Sequence, residues 1–204
     1  MRKHPVVGMI GRKRVGKDTF ADTLVAEYGF TRVSLAGPLK DAALRLNPIV
    51  GPSPIPGGLG SDYRRLADVV EAIGWEKAKD FVPGVRETLQ RLGTDAIRAI
   101  DDTFWIRAAV KAIDAIDGPV VITDVRFPNE ADMIQALAGY TVRIERSLPD
   151  DGDVHPSETA LDNFVADFHV HNDGPLEDLQ DHARYIADHV GSVAMWRLAK
   201  ADAR

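Results

Sequence analysis

The stretch PVVGMIGRKRVGKDTFADTLVAEYGF, residues 5–30, decides how this chain begins to fold. Pro5 to Ile10 is an apolar run of a length suited to a buried strand. Gly11-x-x-x-x-Gly16-Lys17 follows at once. From Asp18 to Tyr28, the side chains Phe20, Leu24 and Tyr28 recur every fourth residue and mark one helical face, which Gly29 ends. Thr31 to Leu35 then reads as a second strand. Strand, glycine-rich turn, helix and strand in that order predict a parallel α/β sheet. Glycines at both ends of the turn let backbone N–H groups face an anion, and the helix N-terminus adds favourable partial charge. Lys17 would reach the β- and γ-phosphates of a nucleotide held there.

One position departs from the general pattern. Ser or Thr usually follows the lysine and contacts Mg²⁺, but here Asp18 and then Thr19 stand in its place. Either supplies an oxygen for the ion, and Asp18 would also suit the helix macrodipole. Arg2, Lys3, Arg12, Lys13, Arg14 and Lys17 form a local basic cluster fit for a small phosphorylated ligand.

Farther along, helices are expected over 38–46, 61–73, 85–100, 103–116, 128–137, 157–162 and 175–189, with a terminal helix over 192–203. Three more strands fit Val120–Thr123, Thr141–Glu145 and Phe168–His171. Residues 51–60 hold three prolines and four glycines and are expected to form a surface loop with no regular element. No repeat is present, and about five strands wrapped by helices account for the chain.

With 204 residues, 45% of them hydrophobic and 27% charged, the expectation is one ordinary globular domain spanning 1–204. There is no cysteine, so disulfides, thiolate metal sites and cysteine nucleophiles are excluded. No apolar run reaches the roughly 18 residues of a membrane span, and the N-terminus lacks the pattern of a signal peptide. A soluble cytoplasmic protein is expected. The net charge of −6 is uneven: residues 1–100 carry 16 basic and 11 acidic side chains, and the remainder 9 and 20. Such a chain is a poor general binder of nucleic acid, which needs a basic surface. His169 and His171 alternate on one strand, but no third ligand lies near them in sequence, so a metal pair is rejected.

Gly11-Arg-Lys-Arg-Val-Gly-Lys-Asp-Thr-Phe-Ala21 resembles the phosphate loop of the phage-type deoxynucleoside monophosphate kinases. Further stretches match that family in order: Leu35–Lys40, Arg86–Asp95, Phe104-Trp105, Asp124–Glu130 and His155–Glu158. The ordered set runs from about residue 5 to 178. The resemblance implies a P-loop kinase three-layer sandwich, with a five-stranded parallel sheet in the order 2-3-1-4-5 flanked by helices. It also implies acceptor-binding helices over about 38–116 and a lid over about 146–157. The implied reaction is ATP- and Mg²⁺-dependent phosphoryl transfer to a deoxynucleoside monophosphate, giving the diphosphate. In that case the chain lies in the cytoplasm, the host's if a phage encodes it.

Phosphoryl transfer needs alignment of two phosphates and neutralisation of their charge. Gly11, Lys13, Arg14, Gly16, Lys17, Asp18 and Thr19 are expected at the nucleotide, with Asp18 or Thr19 at the ion. Lys40 and Arg86 match the family's cations on the acceptor side, and Gln90 lies one helical turn beyond Arg86. Thr94 and Asp95 continue that stretch. Trp105 is expected to offer a flat wall for the acceptor's base, the alternative being a core tryptophan. Asp124, ending a strand at the sheet's C-terminal edge, would orient Mg²⁺-bound water or hold the acceptor, and Glu130 is placed on the acceptor side. Arg126 and Arg146 are the candidate transfer-step cations beside Lys17, with Arg143 and His155 as weaker ones near the lid. Val170–Gly174 resembles the adenine-side loop of dephospho-coenzyme A kinases, where Asn172 would read the adenine edge and Gly174 turn the chain. The expected partners are ATP and the monophosphate, with neither nucleic acid nor membrane. A homodimer is compatible with the chain.

The nearest alternatives are a dephospho-coenzyme A or phosphomevalonate kinase, which share the loop but not Arg86–Asp95 or Asp124–Glu130. A nucleotide-gated switch or ATPase is a further class. It is disfavoured because Val125, not a glutamate, follows Asp124.

Overall fold

A computed structural model describes residues 3–52, 63–147 and 159–202. The chain divides into two compact units, one of residues 1–35 and 110–204, the other of residues 36–109.

The first unit is built on five parallel strands. They are β1 (Val6–Ile10), β2 (Thr31–Val33), β5 (Val120–Ile122), β6 (Tyr140–Glu145) and β7 (Phe168–His171). Their spatial order is β2-β5-β1-β6-β7. Counted within this sheet alone, that is 2-3-1-4-5, as the sequence led us to expect. Every residue of β1 and of β5 is buried. Strands covered on both faces read as continuous apolar runs, which is why both were legible. Phe20 and Leu24 of α1 (Lys17–Tyr28) join Val7, Met9, Val121, Val142 and Ile144 in the main core.

The second unit contains α2 (Gly37–Leu46), the antiparallel pair β3 (Ile49–Pro52) and β4 (Tyr63–Arg65), α3 (Leu66–Phe81) and α4 (Pro83–Gln90). A π-helix follows over Arg91–Arg98. Its core gathers Ala43, Val50, Leu66, Val69, Ala78 and Val85, with Trp75, Leu89 and Leu92 packed against it. Helix α5 (Phe104–Asp114) crosses the boundary between the units.

Four sequence expectations are corrected here. Gly51 and Pro52 belong to β3, because Ile49–Pro52 pairs with Tyr63–Arg65 across the glycine- and proline-rich stretch, most of which lies outside the described residues. The helix expected from residue 61 begins instead at Leu66. Asn47, far off in sequence, accepts the Ala67 N–H at 2.9 Å and the Pro48 carbonyl takes the Leu66 N–H, so the cap comes from another element. The single helix expected over 85–100 changes to π geometry at Arg91, which takes Thr94 and Asp95 out of the α-helical register of Arg86 and Gln90. The two helices expected near the C-terminus are one, α7 (Leu176–Asp202), since Gly191 lowers helix propensity by only about 1 kcal/mol. Of the helix expected over 157–162, residues 157 and 158 lie outside the described residues, Thr159 is helical and residues 160–162 form turns; most of the lid also lies outside the described residues.

Helix α7 covers α1. Across that seam Arg184 donates from Nε and one terminal nitrogen to both carboxylate oxygens of Glu27, each at 2.8 Å. Hydrogen bonding from Arg184 holds the Glu27 carboxyl below its ordinary value, against a smaller upward push from burial. Glu27 therefore stabilises the fold fully above the ordinary glutamate range, and this is lost as pH falls through the lowered value. Thermal melts of wild type and Glu27→Gln should differ at neutral pH, with the variant lower, and converge in strong acid. A gap that is independent of pH would remove the ion pair from the seam.

Candidate active site

β1 ends at Ile10, and the loop that follows is pressed against its neighbours. A Cβ on Gly11 would lie 2.3 Å from the Ile144 carbonyl oxygen, and the residue has φ +149°. A Cβ on Gly16, at φ +103°, would meet Asn172 Nδ2 at 2.5 Å. Only glycine combines these angles with such an approach. Between them Arg14 takes φ +64°, an uncommon conformation for a side chain of its size. Lys17 opens α1 and folds back over the loop, its ammonium donating to the Gly11 and Arg12 carbonyls at 2.6 Å each.

Asn172, buried just after β7, donates from its side-chain amide to the Val15 carbonyl at 2.8 Å. Its own backbone N–H bonds to Glu145. The amide nitrogen expected at an adenine edge is thus engaged inside the loop. Gly174 packs against the first turn of α7, where a Cβ would lie 2.5 Å from Asp178 Oδ2.

A cleft at the C-terminal edge of the sheet is lined by Gly11, Arg12, Lys17, Asp124, Arg126, Arg143 and Asp162, among others. Of the residues chosen from sequence, the cleft brings together Gly11, Lys17, Asp124, Arg126 and Arg143. Asp124 accepts the Ser34 hydroxyl at 2.6 Å and the Leu35 N–H at 2.8 Å, which fixes its carboxylate across the ends of β2 and β5. The backbone N–H groups of Arg126 and Phe127 bond to Glu130 Oε2 at 2.8 and 3.2 Å. Glu130 reaches back from the first turn of α6 (Pro128–Ala136) and shapes the loop that carries Arg126. Arg143 is buried and gives its guanidinium to the Leu161 and Phe164 carbonyls at 2.6 and 2.7 Å.

Asp18 and Thr19 do not line this cleft. The Asp18 carboxylate is paired with Arg32 at 3.1 Å, and Arg32 also binds the Asp18 carbonyl and Asp22. Arg146 is exposed beside Asp173, whose carboxyl is held low chiefly by the Ser147 N–H. His155 lies outside the described residues.

In the second unit, Lys40 sits over the Trp75 ring, 5.6 Å from its centroid, and the exposed Arg86 lies 3.7 Å from Asp80. Gln90, Thr94 and Asp95 are exposed. Trp105 is buried, and its indole N–H donates to the Gly93 carbonyl at 3.1 Å.

Sequence reading missed Ser34, Asn47, Arg32 and Asp162. Each acts through a partner distant in the chain, and no local spacing marks it. Asp162, which pairs with Arg12 at 3.3 Å, had only its place after the lid to single it out.

Fold and cleft together define a P-loop small-molecule kinase. The family model for deoxynucleotide monophosphate kinase matches residues 62–183. A deoxynucleotide monophosphate kinase of Enterobacteria phage T4 is 25% identical, over 85% of this chain and 95% of its own. A protein of Acanthamoeba polyphaga mimivirus, provisionally given the same name, is 31% identical over 76% of this chain and 81% of its own. The crystal structure of TT1252 from Thermus thermophilus shares the fold, with a TM-score of 0.51 and 17% identity, over 91% of this chain and 98% of that one. The chain belongs to the deoxynucleotide monophosphate kinase family. Among the described residues no helix is long and apolar enough to cross a membrane.

The Asn172 contact generates a test. Asn172→Ala leaves the Val15 carbonyl without its buried donor, which should cost about 1–3 kcal/mol in urea unfolding. If Asn172 acts through the loop, KM should rise by similar factors for ATP and GTP. A loss confined to ATP would return Asn172 to the adenine edge.

Proposed function

We propose that this chain transfers the γ-phosphoryl group of ATP to a deoxynucleoside monophosphate, with Mg²⁺, giving ADP and the deoxynucleoside diphosphate. The observation that carries the reading is the gathering of Lys17, Asp124 and Arg126 around one cleft beneath the phosphate loop. The family match, residues 62–183, supports the acceptor.

Lys17 and the loop N–H groups bind the donor's outer phosphates and align the chain of oxygens for in-line attack. Arg126 neutralises charge that develops on the transferred group, and Arg146 approaches it from the strand exit. The acceptor phosphate is held by Lys40 and Arg86, with Gln90, Thr94 and Asp95 beside them. Glu130 holds the Arg126 loop in place.

The residues present fit Mg²⁺. Its usual site joins one or two carboxylates with substrate phosphates, and Asp124, the carboxylate that lines the cleft beside Lys17, is a hard oxygen donor of that kind, whereas Asp18 is paired with Arg32. Bound there, the ion would neutralise charge between the β- and γ-phosphates. Among the described residues no group of three His, Asp or Glu forms a cage, so the substrate's own phosphates would complete the shell.

With the four dNMPs offered in turn, ADP formation with at least one should exceed the rate without acceptor. Lys17→Met should abolish it with circular dichroism unchanged. Arg86→Ala should raise KM for the dNMP more than KM for ATP, because the donor has its own cradle. Equal stimulation by dephospho-coenzyme A, or none by any dNMP, would overturn the substrate.

A further inference from the structure

Helix α3 is broken at Gly74, which has φ +75° and ψ 164°. The break restarts the helix at Trp75, and its second half carries Trp75, Glu76, Lys79 and Asp80 along one short stretch. Trp75 is packed against the core of the second unit, so the stretch has a fixed anchor.

The two cations assigned to the acceptor both meet this stretch. Lys40, from α2, lies over the Trp75 ring. Arg86, from α4, pairs with Asp80 at 3.7 Å. Lys79 bonds to Glu76 at 2.8 Å. Burial raises the Glu76 carboxyl, but the Lys79 hydrogen bond and charge, followed by the charges of Lys40 and Arg86, carry it below its ordinary value. Three helices therefore bring Lys40, Lys79 and Arg86 together with Glu76 and Asp80. Those five charges sum to +1.

A phosphate monoester carries close to two negative charges at neutral pH, whereas di- and triphosphates carry more. Interaction with a site scales with the product of charges. A strongly cationic acceptor site would thus favour ATP or the diphosphate product over the monophosphate. Selectivity of this kind needs a repulsive element as well as an attractive one.

We propose that Glu76 and Asp80 are specificity-determining residues: by holding the Lys40 and Arg86 site to a small net charge, they keep its extra attraction for di- and triphosphates small, so that a phosphate monoester competes for it. This rests on Lys40 and Arg86 being the acceptor cations.

The test compares wild type with Glu76→Gln, Asp80→Asn and the double variant. Inorganic phosphate and tripolyphosphate are titrated against tryptophan fluorescence, with Trp75→Phe assigning the signal. Neutralising the carboxylates should tighten phosphate by about two- to fivefold, as exposed charge pairs allow. It should tighten tripolyphosphate by the square of that factor or more. In assays, KM for dTMP should fall while inhibition by dTTP strengthens by a larger factor. Equal gains for both anions, a rise in KM for dTMP, or no Trp75 response to tripolyphosphate even in the double variant would each overturn the inference. Should the double variant misfold, the same ratios from the single variants decide. If no monophosphate stimulates wild-type ADP formation, the proposed reaction fails, and the ratio of tripolyphosphate to phosphate binding still judges Glu76 and Asp80.

Discussion

Contact between the phosphate loop and the strands beside it is the constraint on which the first unit depends. Gly11 lies against the Ile144 carbonyl at the end of β6, and Gly16 lies against Asn172 after β7. Asn172 in turn holds the Val15 carbonyl. Neither approach is possible unless β6 and β7 sit on the loop's side of β1, so the strand order and the loop conformation require each other. A loop held in this way has its conformation fixed by the fold, and binding of a ligand there need not supply the ordering entropy.

The same economy recurs around the cleft. Asp124 is fixed by Ser34 and Leu35, the Arg126 loop by Glu130, and the 161–164 turn by Arg143. The cleft walls are thus fastened by short polar contacts between segments remote in sequence, on a sheet whose central strands are fully buried. Transfer chemistry of this class relies on alignment and charge compensation far more than on a reactive side chain. A site built from fixed carboxylates and cations suits that demand. The second unit supplies its own cations from three helices, and the break at Gly74 sets the face on which they meet.

Much of this was legible in order along the chain. The strand, loop and helix of residues 5–28 announce themselves through apolar runs, glycine spacing and a four-residue repeat. The buried strands at 120–122 and 140–145 read as β-branched runs for the same reason. The site was legible only in part. Lys17, Asp124 and Arg126 meet in the cleft, whereas Asp18 is taken by Arg32 and the Asn172 amide by the loop. Trp105, expected as a platform for a base, is buried with its N–H on Gly93.

By itself, the sequence determined the class of sheet and the loop of residues 11–17, because each depends on residue type and spacing within a few turns of chain. Tertiary structure alone decided which polar groups already have partners. The cap of α3 by Asn47, the Arg32 fork on Asp18 and the Trp75 seat under Lys40 join residues 14 to 35 positions apart or held on separate helices. A polar side chain in sequence carries the same donors and acceptors whether or not a neighbour has claimed them. Only the packed fold brings the claimant within hydrogen-bonding distance.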